Sequence, residues 1–379
     1  MKSKVLLFLC ALSFLGTTLL AQQSESLKWW NPAGSTIPVL EGRGWADGFS
    51  NFYDRLPAKA KPLVRKEVWD LSRNAAGLKI LFKTDAKRIS VRYVVTKKAF
   101  YMNHFPTTGV SGVDLYSLNK DGSWAWASAK YKFGDTVSYD YSNLDLNTSD
   151  YKDGRSYHLY LPLYNDVSWL EIGVPESATF TSLPPRREKP IVVYGTSIAQ
   201  GGCASRPGMA WTSILERDLS NPVVNLGFSG NGRLEKELVN LIAEIDAKLF
   251  VLDCLPNLSA KSDPDSLLVE QKILESVAIL RKKHPTTPIL LTGHSGYTEN
   301  RLDAAARNSI NRLNHASEAA FEKLKTSGVG NVYYLPARDV TMGIDGTVDG
   351  SHPSDLGMYK YAKSYEKKIR SILKMKKGM

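Results

Sequence analysis

Residues Ile191–Gly202 have the sequence IVVYGTSIAQGG, which is the clearest indication of the fold. Its first four residues are β-branched or aromatic and predict a short buried strand, and Gly195 and Thr196 then end it. Ser197 follows at once. In sheets of parallel strands, ligands bind beyond the carboxyl ends of the strands. The serine hydroxyl is therefore placed where chemistry is expected.

Four further apolar runs follow at regular intervals, and each is separated from the next by a segment with helical period. The runs are PVVNLGF (222–228), KLFVLDCL (248–255), PILLTGH (288–294) and NVYYLPA (331–337). Alternation of short strands with longer helices predicts an α/β domain, in which a parallel sheet is covered by helices on both faces.

The first half of the chain has a different periodicity of apolar residues. From Lys28 to about Ser182 it consists of short alternating segments, such as LKILFKTDAKRISVRYVVT (78–96) and SYHLYLPLY (156–164). This pattern predicts an antiparallel, jelly-roll-like β-sandwich. The proline-rich stretch SLPPRREKP (182–190) is typical of a linker, because its prolines lack the N–H groups that pair strands in a sheet. We therefore predict domains over 22–185 and 186–379.

The first 21 residues have the pattern of a signal peptide, because two lysines precede an apolar run that ends in Leu20-Ala21. Cleavage lowers the formal net charge from +11 to +9, since it removes Lys2 and Lys4 and no acidic residue. No other stretch is apolar enough to span a bilayer, and no nucleic-acid-binding motif accompanies the scattered basic residues. We expect a periplasmic or secreted protein without stable membrane insertion or a nucleic-acid partner.

A serine hydroxyl becomes a nucleophile only when a base takes its proton. The loop DGSHPSDLG (349–357) places Asp349 three residues before His352, just ahead of the last predicted helix. A carboxylate so close can hold the imidazole in the tautomer that accepts the serine proton. Asp345 and Asp355 are also near in sequence and remain alternatives to Asp349.

The oxyanion formed by the attack needs hydrogen-bond donors from other strand ends. Gly230, in NLGFSGNG (225–232), offers a backbone N–H that no side chain shields, with Gly227 or Gly232 as alternatives. Asn257, in VLDCLPN (251–257), offers a side-chain amide. The alternative role for Asn257 is to cap the following turn.

The segments YGTSI, GFSGNG, DCLPN and DGSHP resemble, in this order, the four sequence blocks of the SGNH/GDSL hydrolase superfamily. YDRLP and GVSGVDLY resemble the N-terminal domain that accompanies a bacterial branch of it. The resemblance implies a flavodoxin-like three-layer fold and ester hydrolysis without a cofactor. It also implies a catalytic triad of Ser197, Asp349 and His352. The oxyanion hole would consist of Ser197, Gly230 and Asn257. Two blocks depart from the usual pattern, since Thr196 replaces Asp and Leu258 follows Asn257.

Exported relatives with an accessory β-domain are often carbohydrate esterases, so the resemblance implies removal of small acyl groups, acetyl above all, from an oligo- or polysaccharide. One rival hypothesis is hydrolysis of lipid or thioester substrates on the same fold. Another is a non-catalytic carbohydrate-binding protein. The sequence shows no metal-ligand spacing and no nucleotide-binding loop.

Two features leave alternatives open. If the loops after the first and third strands converge, Cys203 and Cys254 come close enough for a disulfide, and the alternative is two buried free thiols. In DGSWAWASAKYKFGDTVSYDY (121–141), Trp124 and Trp126 fall on one face of a strand and Tyr131, Tyr139 and Tyr141 follow. Core packing is the favoured interpretation of these aromatic residues, with sugar stacking as the alternative.

Overall fold

The computed structural model describes residues 25–145, 151, 153–258, 266–296, 302–340 and 342–375. The predicted signal peptide, 1–21, lies outside the described residues. In the described part of the chain, no helix has the length and apolar character needed to cross a membrane. The predicted domain boundaries remain predictions.

The first half forms two antiparallel sheets and two short helices, α1 (Lys66–Ser72) and α2 (Thr107–Val110). Its strands are β1 (Leu27–Trp30), β2 (Leu40–Glu41), β3 (Lys79–Thr84), β4 (Ile89–Val95), β5 (Asp114–Leu118), β6 (Trp124–Ala127), β7 (Lys130–Lys132), β8 (Val137–Tyr141), β9 (Arg155–Tyr160), β10 (Val167–Pro175) and β11 (Phe180–Ser182). One sheet has the order β1-β10-β4-β8-β7. The other has the order β11-β3-β9-β5-β6, with β2 beside β3. Alternating side chains of both sheets fill one apolar core between them.

The second half alternates strands and helices. Its strands are β12 (Ile191–Gly195), β13 (Val223–Gly227), β14 (Leu249–Asp253), β15 (Ile289–Thr292) and β16 (Val332–Leu335). Its helices are α3 (Ser197–Gln200), α4 (Trp211–Leu219), α5 (Lys236–Ile242), α6 (Ser266–Lys283), α7 (Ala304–Thr326) and α8 (Asp355–Leu373). The strands are parallel in the order β13-β12-β14-β15-β16, and apolar clusters lie on both faces. The predicted fold class, a three-layer α/β domain preceded by an antiparallel sandwich, is confirmed.

The register of the parallel sheet brings the site loops together. Gly195, the last residue of β12, lies level with Gly227 on one neighbouring strand and with Asp253 on the other. The three following loops therefore leave the sheet at the same height and on the same edge.

A buried ionic group joins the two halves. Lys79 on β3 lies with its Nζ 3.0 Å from Glu41 and 3.7 Å from Glu216 on α4, and Arg186 of the linker pairs with both glutamates. Two cations thus balance two anions, and all of these side chains are buried except Arg186, which is partly exposed. Removal of any one would leave an uncompensated buried charge, which is strongly destabilising.

The aromatic residues singled out in 121–141 differ in exposure, and Trp124 is partly buried. Tyr139 and Tyr141 are buried, as the favoured interpretation predicts. Trp126 is 50% exposed and Tyr131 is 55% exposed, so core packing is the wrong prediction for these two. The reason is position: β6 and β7 are edge strands, and an edge strand has no neighbour on one side to cover its side chains.

Candidate active site

Ser197 is the first residue of the short helix α3, directly after the turn that ends β12. Thr196 caps this helix, since its hydroxyl accepts from the N–H of Ile198 at 3.4 Å. Gly195 makes the tight turn possible, because a Cβ there would lie 2.6 Å from that of Ala199. The sequence therefore folds locally so that the Ser197 hydroxyl stands at the carboxyl edge of the sheet.

His352 lies between Ser197 and Asp349. Its Nε2 is 2.9 Å from Oγ of Ser197, and its Nδ1 is 2.8 Å from Oδ2 of Asp349. The other oxygen of Asp349 accepts from the backbone N–H groups of Ser351 at 3.0 Å and His352 at 2.7 Å. The structure thus brings the three predicted triad residues into one hydrogen-bonded row.

The environment of Asp349 keeps its carboxyl group ionised. Partial burial works to raise its pKa, but hydrogen bonds from the backbone and ring of His352, and then from the N–H of Ser351, hold the pKa below its usual value. Asp355, one of the alternatives, is engaged elsewhere: it accepts from the N–H and hydroxyl of Ser205 at 2.8 and 2.5 Å. Asp349 is the carboxylate that contacts the His352 ring.

The backbone N–H groups of Ser197 and Gly230 are not used by other groups in the described residues. Gly230 has a φ of +69°, and nothing lies within 4 Å of where a Cβ would be, so glycine is favoured there by backbone conformation. Within the described parts of the chain, neither the N–H of Gly230 nor that of Ser197 donates to another group. Both remain available to a developing oxyanion.

The alternative glycines have packing roles instead. A Cβ at Gly227 would lie 2.1 Å from the backbone nitrogen of Gln200, and a Cβ at Gly232 would lie 2.0 Å from the carbonyl oxygen of Gly195. These two positions let the loop after β13 approach the loop after β12.

Asn257 ends the 3₁₀ helix Leu255–Asn257, which follows β14. In the amide orientation that satisfies both ends of the side chain, its oxygen accepts from the backbone N–H groups of Asn231 at 3.0 Å and Gly232 at 3.1 Å. The NH₂ group is then the end that donates. The loop that carries Gly230 thus fixes which way the Asn257 amide faces.

Gln200 is a site residue that sequence reasoning missed. Its Nε2 donates to the carbonyl of Leu163 at 3.1 Å and to Oδ1 of Asn74 at 3.2 Å, and its Oε1 accepts from the N–H of Ser229 at 2.9 Å. It therefore connects the first half of the chain to the loop of Gly230. Gln200 stands in the opening stretch IVVYGTSIAQGG, but only the fold reveals its partners.

The predicted disulfide between Cys203 and Cys254 is wrong, because both are free thiols. Cys203 packs against the apolar cluster on one face of the parallel sheet, whereas Cys254 belongs to the cluster on the other face. Burial and the Asp349 charge raise the pKa of Cys203 to about 12. Burial also raises the pKa of Cys254, whose thiol donates to the carbonyl of Tyr194 at 3.5 Å.

No metal centre is present among the described residues, where no three His, Cys, Asp or Glu side chains are grouped so as to hold an ion. The row of Ser197, His352 and Asp349, together with unpaired donors, is an arrangement that can carry out acyl transfer without a metal.

Known proteins resemble both halves of the chain. The sequence model of the GDSL-like lipase/acylhydrolase family matches residues 188–370, and that of the N-terminal domain of SGNH-hydrolase-type esterases matches residues 27–180. A solved protein of Bacteroides ovatus described as a GDSL-like lipase is 32% identical, with a TM-score of 0.84, over 93% of this chain and 100% of its own. The chain belongs to the GDSL-like lipase/acylhydrolase family. No curated protein sequence matches it significantly.

Two more distant solved structures share the fold. The salicylyl-acyltransferase SsfX3 of a tetracycline biosynthetic pathway is 20% identical, with a TM-score of 0.71, over 93% of this chain and 99% of its own. A family two carbohydrate esterase from Cellvibrio japonicus is 12% identical, with a TM-score of 0.54, over 92% and 99%. The architecture of this chain is that of the SGNH/GDSL esterases.

Proposed function

We propose that this protein is an exported serine esterase that removes small acyl groups, acetyl above all, from carbohydrates. The strongest support is the row of contacts from Ser197 Oγ through the His352 ring to Asp349, at 2.9 and 2.8 Å. Nucleophile, base and orienting carboxylate are each within hydrogen-bond reach of the next. A protein that only binds carbohydrate has no need of this geometry.

In the first step, Ser197 Oγ attacks the ester carbonyl carbon while Nε2 of His352 takes the hydroxyl proton. The carbonyl oxygen becomes an oxyanion, to which the N–H groups of Ser197 and Gly230 and the amide of Asn257 donate. The carbon–oxygen bond to the sugar then breaks, and Nε2 returns its proton to the leaving sugar oxygen. The products are a free sugar hydroxyl and an acyl group on Ser197.

Water then attacks the acyl-serine, and the same groups act in reverse. Nε2 of His352 takes a proton from the water, the carboxylic acid leaves, and Ser197 regains its proton. Asp349 stays ionised throughout, holds the Nδ1 proton and stabilises the imidazolium that forms in each half.

Trp126 favours a carbohydrate as the group that carries the ester. Its indole N–H donates to Asp114 Oδ1 at 2.6 Å, and the guanidinium of Arg206 lies 4.4 Å from the ring centre. The ring is therefore held in place while half of its surface stays open. A fixed, half-exposed indole suits stacking against a sugar ring, because it loses little conformational freedom on binding.

The surface after the nucleophile favours a short acyl group over a long one. Arg206 and Ser205 are partly exposed there, and both are hydrogen-bonded to neighbouring side chains. A long acyl chain would need an apolar groove in their place, because burial of each CH₂ contributes about 0.8 kcal/mol. The lipid and thioester rivals are disfavoured accordingly.

The predicted signal peptide over 1–21 supports export. The test is detection of the processed chain in the periplasmic or medium fraction. Retention of the uncleaved chain in the cytoplasm would contradict this part of the proposal.

The activity test compares the wild-type protein with Ser197→Ala on a panel of acetylated xylan, mannan, pectin and a long-chain triglyceride. We expect free acetate from at least one polysaccharide with the wild type and none with Ser197→Ala, which should keep the wild-type melting temperature. Release of fatty acid alone would favour the lipid rival. Binding of polysaccharide without turnover of any ester would favour the non-catalytic rival.

A further inference from the structure

One arginine of the first half reaches the loop that carries the oxyanion donors. Arg65 directly precedes α1, and its Nη1 donates to Oδ1 of Asn231 at 2.8 Å, across 166 residues of sequence. Its Nε also pairs with Glu235, at the start of α5. A third, longer contact joins Nη1 to Oε2 of Glu67 at 3.4 Å. The planar guanidinium thus joins Asn231 and Glu235 in a fixed geometry, as a lysine ammonium does not.

Asn231 is next to Gly230 and in contact with Asn257. Its backbone N–H donates to the Asn257 side-chain oxygen at 3.0 Å, and its own amide donates to the carbonyl of Ser229 at 2.8 Å. A shift of Asn231 would therefore move the neighbouring Gly230 N–H and weaken the hold on the Asn257 amide, whose oxygen would keep only its contact with the Gly232 N–H.

We propose that Arg65 is a positioning residue for the oxyanion hole, acting through Asn231 on the Gly230 N–H and the Asn257 amide. The inference rests on the proposed esterase function and deepens it, because it gives the first half of the chain a part in the reaction. An oxyanion hole stabilises the transition state only if its N–H donors already point to the place where negative charge develops. A residue that fixes the orientation of these donors therefore affects kcat more than it affects substrate binding.

A second arginine of the same half supports the strand below this loop. Arg55 is fully buried, and its Nη1 donates to the carbonyls of Asn225 at 3.1 Å and Gly227 at 2.8 Å. Its guanidinium also lies 4.9 Å from the ring centre of Phe228. Arg55 and Arg65 together hold both ends of the segment from β13 to Asn231.

A purely structural role for Arg65 makes a different prediction. The side chains of Arg65 and Glu235 are 36% and 17% exposed, and an ion pair that stays partly in contact with water contributes little to stability. If its pair with Glu235 were all that mattered, its loss would shift the melting temperature slightly and leave the kinetics unchanged. The experiment therefore measures kcat, KM and the melting temperature separately.

The experiment uses the full mature protein with an activated aryl acetate and compares wild type, Arg65→Ala, Arg65→Lys, Asn231→Ala and the double variant Arg65→Ala/Asn231→Ala. The matched control is Lys66→Ala, which removes a neighbouring exposed cation that pairs with Asp70 instead. Ser197→Ala is measured in parallel, and melting temperatures are recorded for all.

We expect Arg65→Ala to lower kcat about tenfold, part of the 10²–10³ loss typical of a whole oxyanion donor, with KM changed less than twofold. Arg65→Lys should lose kcat severalfold, which keeps the test usable if the alanine variant does not fold. Lys66→Ala should match wild type. The double variant should be no slower than Asn231→Ala, because both changes interrupt one chain of contacts.

An unchanged kcat in both Arg65 variants, a defect confined to KM, or losses that multiply in the double variant would overturn the inference. Failure of the proposed function has another signature: wild type would then be no faster than Ser197→Ala. An active wild type with an inactive Ser197→Ala and unaffected Arg65 variants would refute only the role of Arg65.

Discussion

Ser197 Oγ and His352 Nε2 lie 2.9 Å apart although 155 residues separate them in the chain. Their contact depends on the sheet, since Ser197 directly follows β12 and the loop of His352 lies between β16 and α8. Asp349, three residues before His352, completes the row from the same loop. The three side chains therefore meet only when the α/β domain is folded, and the proposed function predicts a distinct kinetic effect for each of the following changes.

Asn257→Ala should lower kcat by roughly 10²–10³ and leave KM nearly unchanged, because in the proposed mechanism the amide donates to charge that exists only in the transition state. Steady-state kinetics with an aryl acetate measure both constants. The matched control is Asn240→Ala on α5, whose amide donates to the Lys236 carbonyl on the helix surface. A rise in KM at constant kcat would mean that Asn257 only binds substrate.

Trp126→Ala should raise KM for an acetylated polysaccharide about three- to tenfold, since one aromatic stacking contact contributes on the order of 1 kcal/mol. An aryl acetate, which has no sugar ring to stack, should be hydrolysed as by wild type. Trp126→Phe should retain most of the affinity for the polysaccharide.

The matched control for Trp126 is Tyr131→Ala, which removes another half-exposed ring from the opposite sheet of the same domain. We expect no change in KM from it. Equal effects of the two variants, or an equal effect of Trp126→Ala on both substrates, would show that Trp126 is no sugar platform.

Asp253→Asn should alter how stability depends on pH. Asp253 is buried at the end of β14, and burial raises its pKa to about 6 although Tyr361 and Thr292 donate hydrogen bonds to it. The folded protein therefore holds a proton that the unfolded chain releases near pH 4. This contribution to stability is present below pH 4 and is lost as pH rises through 6.

Between pH 4 and pH 7, the wild type should therefore lose on the order of 3 kcal/mol of unfolding free energy relative to Asp253→Asn. Urea unfolding of both proteins across this range measures the difference. A difference that is constant with pH would mean that Asp253 is ionised throughout.

Alkylation should find two free thiols. Without reductant, the denatured mature protein should take up two labels, because Cys203 and Cys254 lie on opposite faces of the sheet. The native protein at pH 8 should react slowly, since the pKa of Cys203 is about 12 and Cys254 is buried. A denatured protein without labels would show a disulfide after all.

Much of the second half could be predicted from its sequence. Each apolar run, from IVVYG to NVYYL, became a parallel strand, and functional groups collected beyond the strand ends. The position of Ser197 and the short spacing of Asp349 and His352 are local features, and local features can be read along a chain. The contact between Ser197 and His352, 155 residues apart in the chain, can be inferred once the strand order is known.

The sequence-based predictions that were wrong or missing depend on which residues are neighbours in the folded structure. Cys203 and Cys254 follow strands that are adjacent, but sequence does not tell on which face of the sheet each thiol packs. Trp126 alternates like a core residue, yet it lies on an edge strand. Arg65 and Gln200 act through partners more than 20 residues away in sequence, and no spacing indicates such contacts.

Covalent labelling can show whether Ser197 is the nucleophile of an esterase. The mature protein is treated with a fluorophosphonate, which reacts with activated serine hydroxyls, and its peptides are mapped by mass spectrometry alongside His352→Ala. We predict one adduct, on Ser197, that appears as aryl acetate turnover disappears and is absent from His352→Ala. An adduct on another residue, or turnover that persists after Ser197 is fully labelled, would show that Ser197 is not the nucleophile.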